Sequence, residues 1–263
     1  MDFGFVFQYK SFVLTYILVL IRTASILSFV PVINHPALPI AVRVTLNLFL
    51  ALMLTLLLTA KGIIFDTKVF ESPLELFLGI LNDVFFGFAV TLWIRLFFTA
   101  TVFAGDIIGT VGGFAMAHIF DPTAGQSVII GRFFLIAMLM LFVTGGFLDA
   151  MIQALYLSFL KYPPLHCQIE SSFLWMLVKK FNQSFSLGIQ IASPIVLIVL
   201  LFNISLALVA RVMPQMNVFF VAIPVQISIV LLFLALISPY IMDIIYDTLR
   251  EEISEIFIFL SSG

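Results

Sequence analysis

Five charged side chains lie inside long apolar runs of this 263-residue chain: Arg22, Asp83, Arg95, Asp106 and Asp149. A charge at the centre of a bilayer costs at least about 2.5–3.5 kcal/mol, so such groups face partners or water. Three kinds of chemistry would suit them. They can form ion pairs between helices. They can carry a proton or an ion. They can meet polar groups of other subunits, with the helices packed on protein instead of lipid. Asn82 beside Asp83, and Asn47 in an apolar run, suit hydrogen bonding between helices. Catalytic arrangements are missing: there is no HExxH, GxSxG or GxxxxGK[ST]. The acids of "AGD" (104–106) and "YD" (246–247) occur in the wrong order for a membrane aspartyl protease. The three histidines are scattered, and Cys167 is the single cysteine, so neither a metal nor a cofactor is expected.

The elements that must position these groups are helices. The chain is 63% hydrophobic and 10% charged, with a mean hydropathy of +1.24, which a lipid-embedded helical protein can carry and a soluble domain of this length cannot. A net charge of −2 offers no basic patch for nucleic acid. Roughly 20 apolar residues span a bilayer core of about 30 Å. Candidate spans are Phe12–Val32, Leu38–Ala60, Leu74–Ala104, Phe133–Leu160, Ile189–Val212 and Phe219–Ile245. The third is about 46 Å of helix, too long to stand upright in lipid. The segment around Trp175–Phe185 reads as a separate amphipathic helix at the interface. The N-terminal segment reads as a retained helix, since Arg22 interrupts it and no small-x-small cleavage site follows. No repeat or domain boundary is evident, so residues 1–263 are expected to form one helical domain. In a six-span arrangement Lys10, Lys61, Lys68, Lys161, Lys179, Lys180 and Arg250 fall on one side. The other side has only Arg43, Arg132 and Arg211, at span edges. Both termini are then expected in the cytoplasm.

One stretch breaks the pattern: "AGDIIGTVGGFAMAHIFDPTAGQS", residues 104–127. Gly105, Gly109 and Gly113 repeat at i, i+4 and i+8, a bare stripe that lets another backbone approach closely. Asp121-Pro122 then marks a turn, because the residue before proline is pushed out of the helical region. Irregular backbone at membrane depth is tolerated where protein buries it or where it lines a cavity. The expectation is a tightly packed helix followed by a re-entrant apolar loop. Phe114, Met116, Ile119 and Phe120 suit a compliant seal against water, and an ordinary extracytoplasmic loop is the alternative.

These residues, with "GGFLDAMIQALYLSFLKYP" and "RVMPQMNVFFVAIPVQI" further on, resemble the FliR family of flagellar type III export-gate proteins, whose injectisome counterpart is SctT. The similarity runs from "RTASILSFVPV" to the last apolar helix. Its most specific pieces are Pro214–Phe219 and Asp121–Gly125. The resemblance implies an all-α, multi-helix membrane-associated subunit with long helical hairpins, and not an enzyme. It implies assembly with FliP and FliQ into a protein-conducting pore, next to FlhB and with FlhA nearby, in the inner membrane at the flagellar basal body. Unfolded export substrates would be the cargo. The plug, by this resemblance, is residues 112–121, with Phe114, Met116, Ile119 and Phe120 as its apolar surface. The sequence departs from the family at Phe147-Leu148-Asp149, where a histidine often follows the glycines. Injectisome export and small-solute transport through the intramembrane charges are the alternatives.

Overall fold

The computed structural model describes residues 3–63, 73–114, 129–165, 171–212 and 218–261. Every regular element among them is helical. They are α1 (Phe3–Phe29), α2 (Ile40–Ala60), α3 (Pro73–Val111), α4 (Ile129–Thr144), α5 (Phe147–Lys161), α6 (Ser171–Val212) and α7 (Val218–Ser261). The all-α class follows directly from the long apolar stretches. Among the described residues, five helices are long and apolar enough to cross a membrane, and a sixth span results if α4 and α5 count as one.

Three element boundaries differ from the sequence expectation, each for a local reason. Helix α3 runs on past Ala104 to Val111, taking Gly105 and Gly109 into the helix. It stops where Gly113 adopts φ +89°, a left-handed conformation that cannot continue an α-helix. Gly113 therefore lies beyond the helix and does not extend the stripe. The expected span Phe133–Leu160 is two helices, α4 and α5. The break falls at Gly145-Gly146, where Gly146 has φ +75°. The segment around Trp175–Phe185 is not a separate helix. It continues without interruption into α6, since nothing between Ser171 and Val212 forces a stop and Pro194 is absorbed inside the helix.

Helices α3, α6 and α7 have 39, 42 and 44 residues. At 1.5 Å per residue each is about twice as long as a bilayer core is thick.

The chain forms two compact units. The first comprises Met1–Arg95, Gly146–Lys179 and Glu251–Gly263. Its core gathers Leu18, Val19, Ile26, Phe86, Trp93, Phe159 and Ile256. Gly87 lets α1 and α3 meet: a Cβ there would lie 2.7 Å from the Cβ of Ser25. The second unit comprises Leu96–Gly145 and Lys180–Arg250. Phe97, Phe134, Phe142, Ile195 and Val230 fill its core, with Phe98 edge-on to Phe142 at 5.5 Å.

Much apolar surface stays uncovered. In the most apolar stretches of α2, α6 and α7 only 17%, 11% and 17% of residues are buried. Such faces need lipid or other subunits to cover them.

Candidate functional site: a charged clasp and a glycine crossing

Two arrangements gather the polar and glycine residues singled out above. The first lies in the first compact unit. Arg22 of α1 and Asp83 of α3 form an ion pair, Nη2 to Oδ1 at 2.5 Å, with both side chains essentially fully buried. Arg22 Nη1 donates to the Ser158 carbonyl at 3.1 Å and to the Tyr162 carbonyl at 2.7 Å. These carbonyls belong to the C-terminal end of α5, where helix carbonyls lack partners and a cation is favoured. The guanidinium also lies over the rings of Phe159 (4.8 Å) and Phe86 (5.3 Å). The other carboxylate oxygen, Asp83 Oδ2, accepts from the Leu165 backbone N–H at 3.2 Å. Leu165 has φ +69°, unusual for a branched residue. Gly79 makes room for it, since a Cβ there would fall 2.7 Å from the Leu165 Cβ. Charge, aromatic faces and carbonyls thus close on one another. A pair held this way ties α1, α3 and the end of α5 together, and it is poorly suited to shuttle an ion.

The second arrangement lies in the second unit. Gly105 of α3 crosses Gly131 of α4 backbone to backbone: a Cβ on Gly105 would lie 2.7 Å from the Gly131 Cα. A Cβ on Gly131 would strike the Asp106 carboxylate. Asp106 is half-buried there, and its Oδ1 has no hydrogen-bond partner among the described residues. Gly188 of α6 approaches the Ala100 carbonyl, with a Cβ distance of 2.9 Å. Gly109 is buried. At the end of α3, Gln226 of α7 donates to the Val111 carbonyl at 2.6 Å. It fixes the point at which the chain leaves α3 through Gly112, Gly113 and the half-buried Phe114. Met116, Ile119, Phe120, Asp121 and Pro122 lie outside the described residues.

The remaining charges are elsewhere. Arg95 is exposed on α3. Asp149 is exposed in the first turn of α5, where a carboxylate complements the helix dipole. Neither joins the clasp.

Sequence reasoning missed three polar arrangements, two of them buried and the third half-buried. Trp93 Nε1 donates to Glu252 Oε2 at 2.6 Å, with both residues buried. Lys180 is buried although it belongs to a basic pair. Lys161 donates from Nζ to the Phe259 carbonyl at 2.5 Å and lies over the Tyr162 and Phe259 rings. One signal for Glu252 existed: Leu249, Glu252, Ile253 and Ile256 share one helical face of the acidic tail, and all four are buried. Among the described residues no group of His, Cys, Asp or Glu could hold a metal.

The described residues form long apolar helices with uncovered faces and a buried ion pair, the features of a membrane protein. Comparison with known proteins gives the class. Residues 13–251 match the family described as Bacterial export proteins, family 1, and the chain belongs to it. It is 32% identical over 232 residues to the flagellar biosynthetic protein FliR of Aquifex aeolicus, 88% of each chain. It is 27% identical over 257 residues to FliR of Escherichia coli, 95% of this chain and 96% of that one. It is also 27% identical over 161 residues to the secretion system apparatus protein SsaT of Salmonella typhimurium, 60% of this chain and 62% of that one.

Proposed function

We infer that this protein is a subunit of a bacterial type III protein export gate, working with FliP- and FliQ-like subunits to form and close a protein-conducting pore. The observation that carries the reading is the family match over residues 13–251. The uncovered faces of α2, α6 and α7 support it. Helices α6 and α7 are also far longer than lipid requires, and sister subunits would cover them. The flagellar relatives above match over a longer stretch than the secretion-apparatus one, which favours the flagellar branch, in the inner membrane at the basal body with a cytoplasmic C-terminus. FlhB and FlhA would be neighbours. The loop 112–121, with Phe114, Met116, Ile119 and Phe120, is the plug in this reading. Its support is the fixed end of α3 and the apolar character of the segment. Unfolded protein would pass once the plug yields. The sequence carries no GxxxxGK[ST] motif, and in this reading the energy for transport comes from elsewhere in the apparatus.

The test is to solubilise the tagged protein from its own host in mild detergent and to weigh the particle. A hetero-oligomer containing FliP and FliQ is expected. A lone 29.4 kDa species that takes up solute by itself in liposomes would overturn the reading.

A further inference from the structure

The hairpin of α1 and α2 carries cations and no acid. Lys10, Arg22, Arg43 and Lys61 lie between Asp2 and Asp66, and no Asp or Glu occurs between those two positions. Asp83 of α3 meets the charge of Arg22. Lys61 lies over the Tyr156 ring at 5.3 Å. Arg43, in the first turn of α2, has no counterpart of this kind. Its Nε donates to the Leu38 carbonyl at 3.0 Å, Nη1 to Asn34 Oδ1 at 2.9 Å and Nη2 to the His35 carbonyl at 2.7 Å. All three acceptors are neutral. No carboxylate of the described residues pairs with Arg43. The three bonds fix the guanidinium and use three of its five N–H donors, but they leave its charge whole.

Beside Arg43 opens a groove of about 460 Å³ between α1 and α2. Its walls include Ile21, Ala24, Leu27, Val44 and Leu48, with Ser28, Asn34, Arg43 and Asn47 as polar points. Asn47 Oδ1 is buried and without a partner. Helix α2 is apolar enough to cross a membrane. If it does, its first turn sits at the depth where lipid phosphates meet the hydrocarbon. In the six-span arrangement Arg43 stands with Arg132 and Arg211 on the side poorer in Lys and Arg, so the positive-inside bias does not account for it.

We propose that this groove binds an anionic phospholipid, with an acyl chain along Ile21, Ala24, Val44 and Leu48 and the phosphate on the free edge of Arg43. The charge selects an anion and the walls select a hydrocarbon, and an anionic lipid is both. A partner helix of ordinary apolar sequence would fill the groove and still leave the guanidinium uncompensated. The site depends on α2 meeting lipid and not on the export role.

The test is native mass spectrometry of the full chain, with whatever subunits accompany it, equilibrated in micelles of mixed phosphatidylglycerol and phosphatidylcholine. The wild type is expected to retain phosphatidylglycerol in preference. Arg43→Gln should lower that preference about fivefold, the effect of one basic residue near an anionic surface. Arg43→Lys should keep most of it. Ala24→Phe leaves Arg43 and its loop bonds intact but fills the groove, and should lower retention of both lipids. Equal retention by the wild type, Arg43→Gln and Ala24→Phe overturns the site. Loss of an accompanying subunit in Ala24→Phe with lipid retention unchanged also overturns it, and assigns the groove to a protein helix.

Discussion

Gly105 of α3 and Gly131 of α4 pass each other with no side chain between them. A Cβ on Gly105 would lie 2.7 Å from the Gly131 Cα and 2.9 Å from its nitrogen. This contact lies within one chain, so the glycines serve the packing of the subunit itself before any packing between subunits. Gly105→Ala must push two backbones apart and should cost about 1–3 kcal/mol, as overpacking does. Gly131→Ala meets the movable Asp106 carboxylate and should cost less. Thermal unfolding in detergent would rank them. Equal, unshifted midpoints would mean that the crossing is looser than this geometry.

The Arg22–Asp83 clasp makes a second expectation. Removing one partner strands a buried charge, a loss of about 3–5 kcal/mol, whereas replacing both with apolar residues of similar size is often mild. Arg22→Met and Asp83→Leu should each abolish accumulation of folded protein. The double variant should recover part of it, because the two losses are not additive for groups in contact. Full recovery is not expected: the Leu165 N–H and the Tyr162 carbonyl lose the partners the clasp gives them, and the Ser158 carbonyl keeps only the Tyr162 N–H. A double variant as poor as the sum of the singles would show that the two residues act separately.

Gln226 sets the end of α3. Gln226→Leu leaves the Val111 carbonyl without its side-chain donor, a loss of about 1–3 kcal/mol where that carbonyl is buried. The local consequence matters more than the global one, because the chain enters the 112–121 segment from this point. A cysteine placed at Phe114 should react with a maleimide several-fold faster in the Gln226→Leu background. Unchanged labelling would show that the loop is anchored by something else.

How much of this could be read in the sequence depends on what each feature rests on. The helices were legible because continuous apolar runs of more than 20 residues have few alternatives in a membrane. Their ends were not. Hydropathy falls at Gly105 and Asp106 although α3 runs on to Val111, and the polar residues around Lys179–Ser184 do not interrupt α6, so hydropathy alone misplaces both. The end of α3 and the break between α4 and α5 are set by backbone states, namely Gly113 and Gly146 at positive φ. The charges Arg22 and Asp83 stood out because lipid penalises them, but their pairing across 61 positions is a matter of tertiary structure. Trp93 and Glu252 show the converse. An indole and an acidic tail look ordinary apart, and only the fold places one against the other.

The plug assignment makes the sharpest functional prediction. The segment from Gly112 to Asp121 begins at a capped helix end and carries Phe114, Met116, Ile119 and Phe120, large apolar groups joined by a backbone with two leading glycines. A seal of this kind excludes water by apolar contact and yields without breaking strong bonds. Deleting residues 112–121 removes no member of the Arg22 clasp and leaves Gly105 and Gly131 in place. The assembly should therefore persist, and the defect should be confined to leakage. Planar-bilayer conductance of the purified complex is expected to rise well above background, with the subunit ratio on a gel unchanged. Conductance that stays at background would remove the plug role from this loop. Loss of the complex would show instead that the segment is a packing element of the wall.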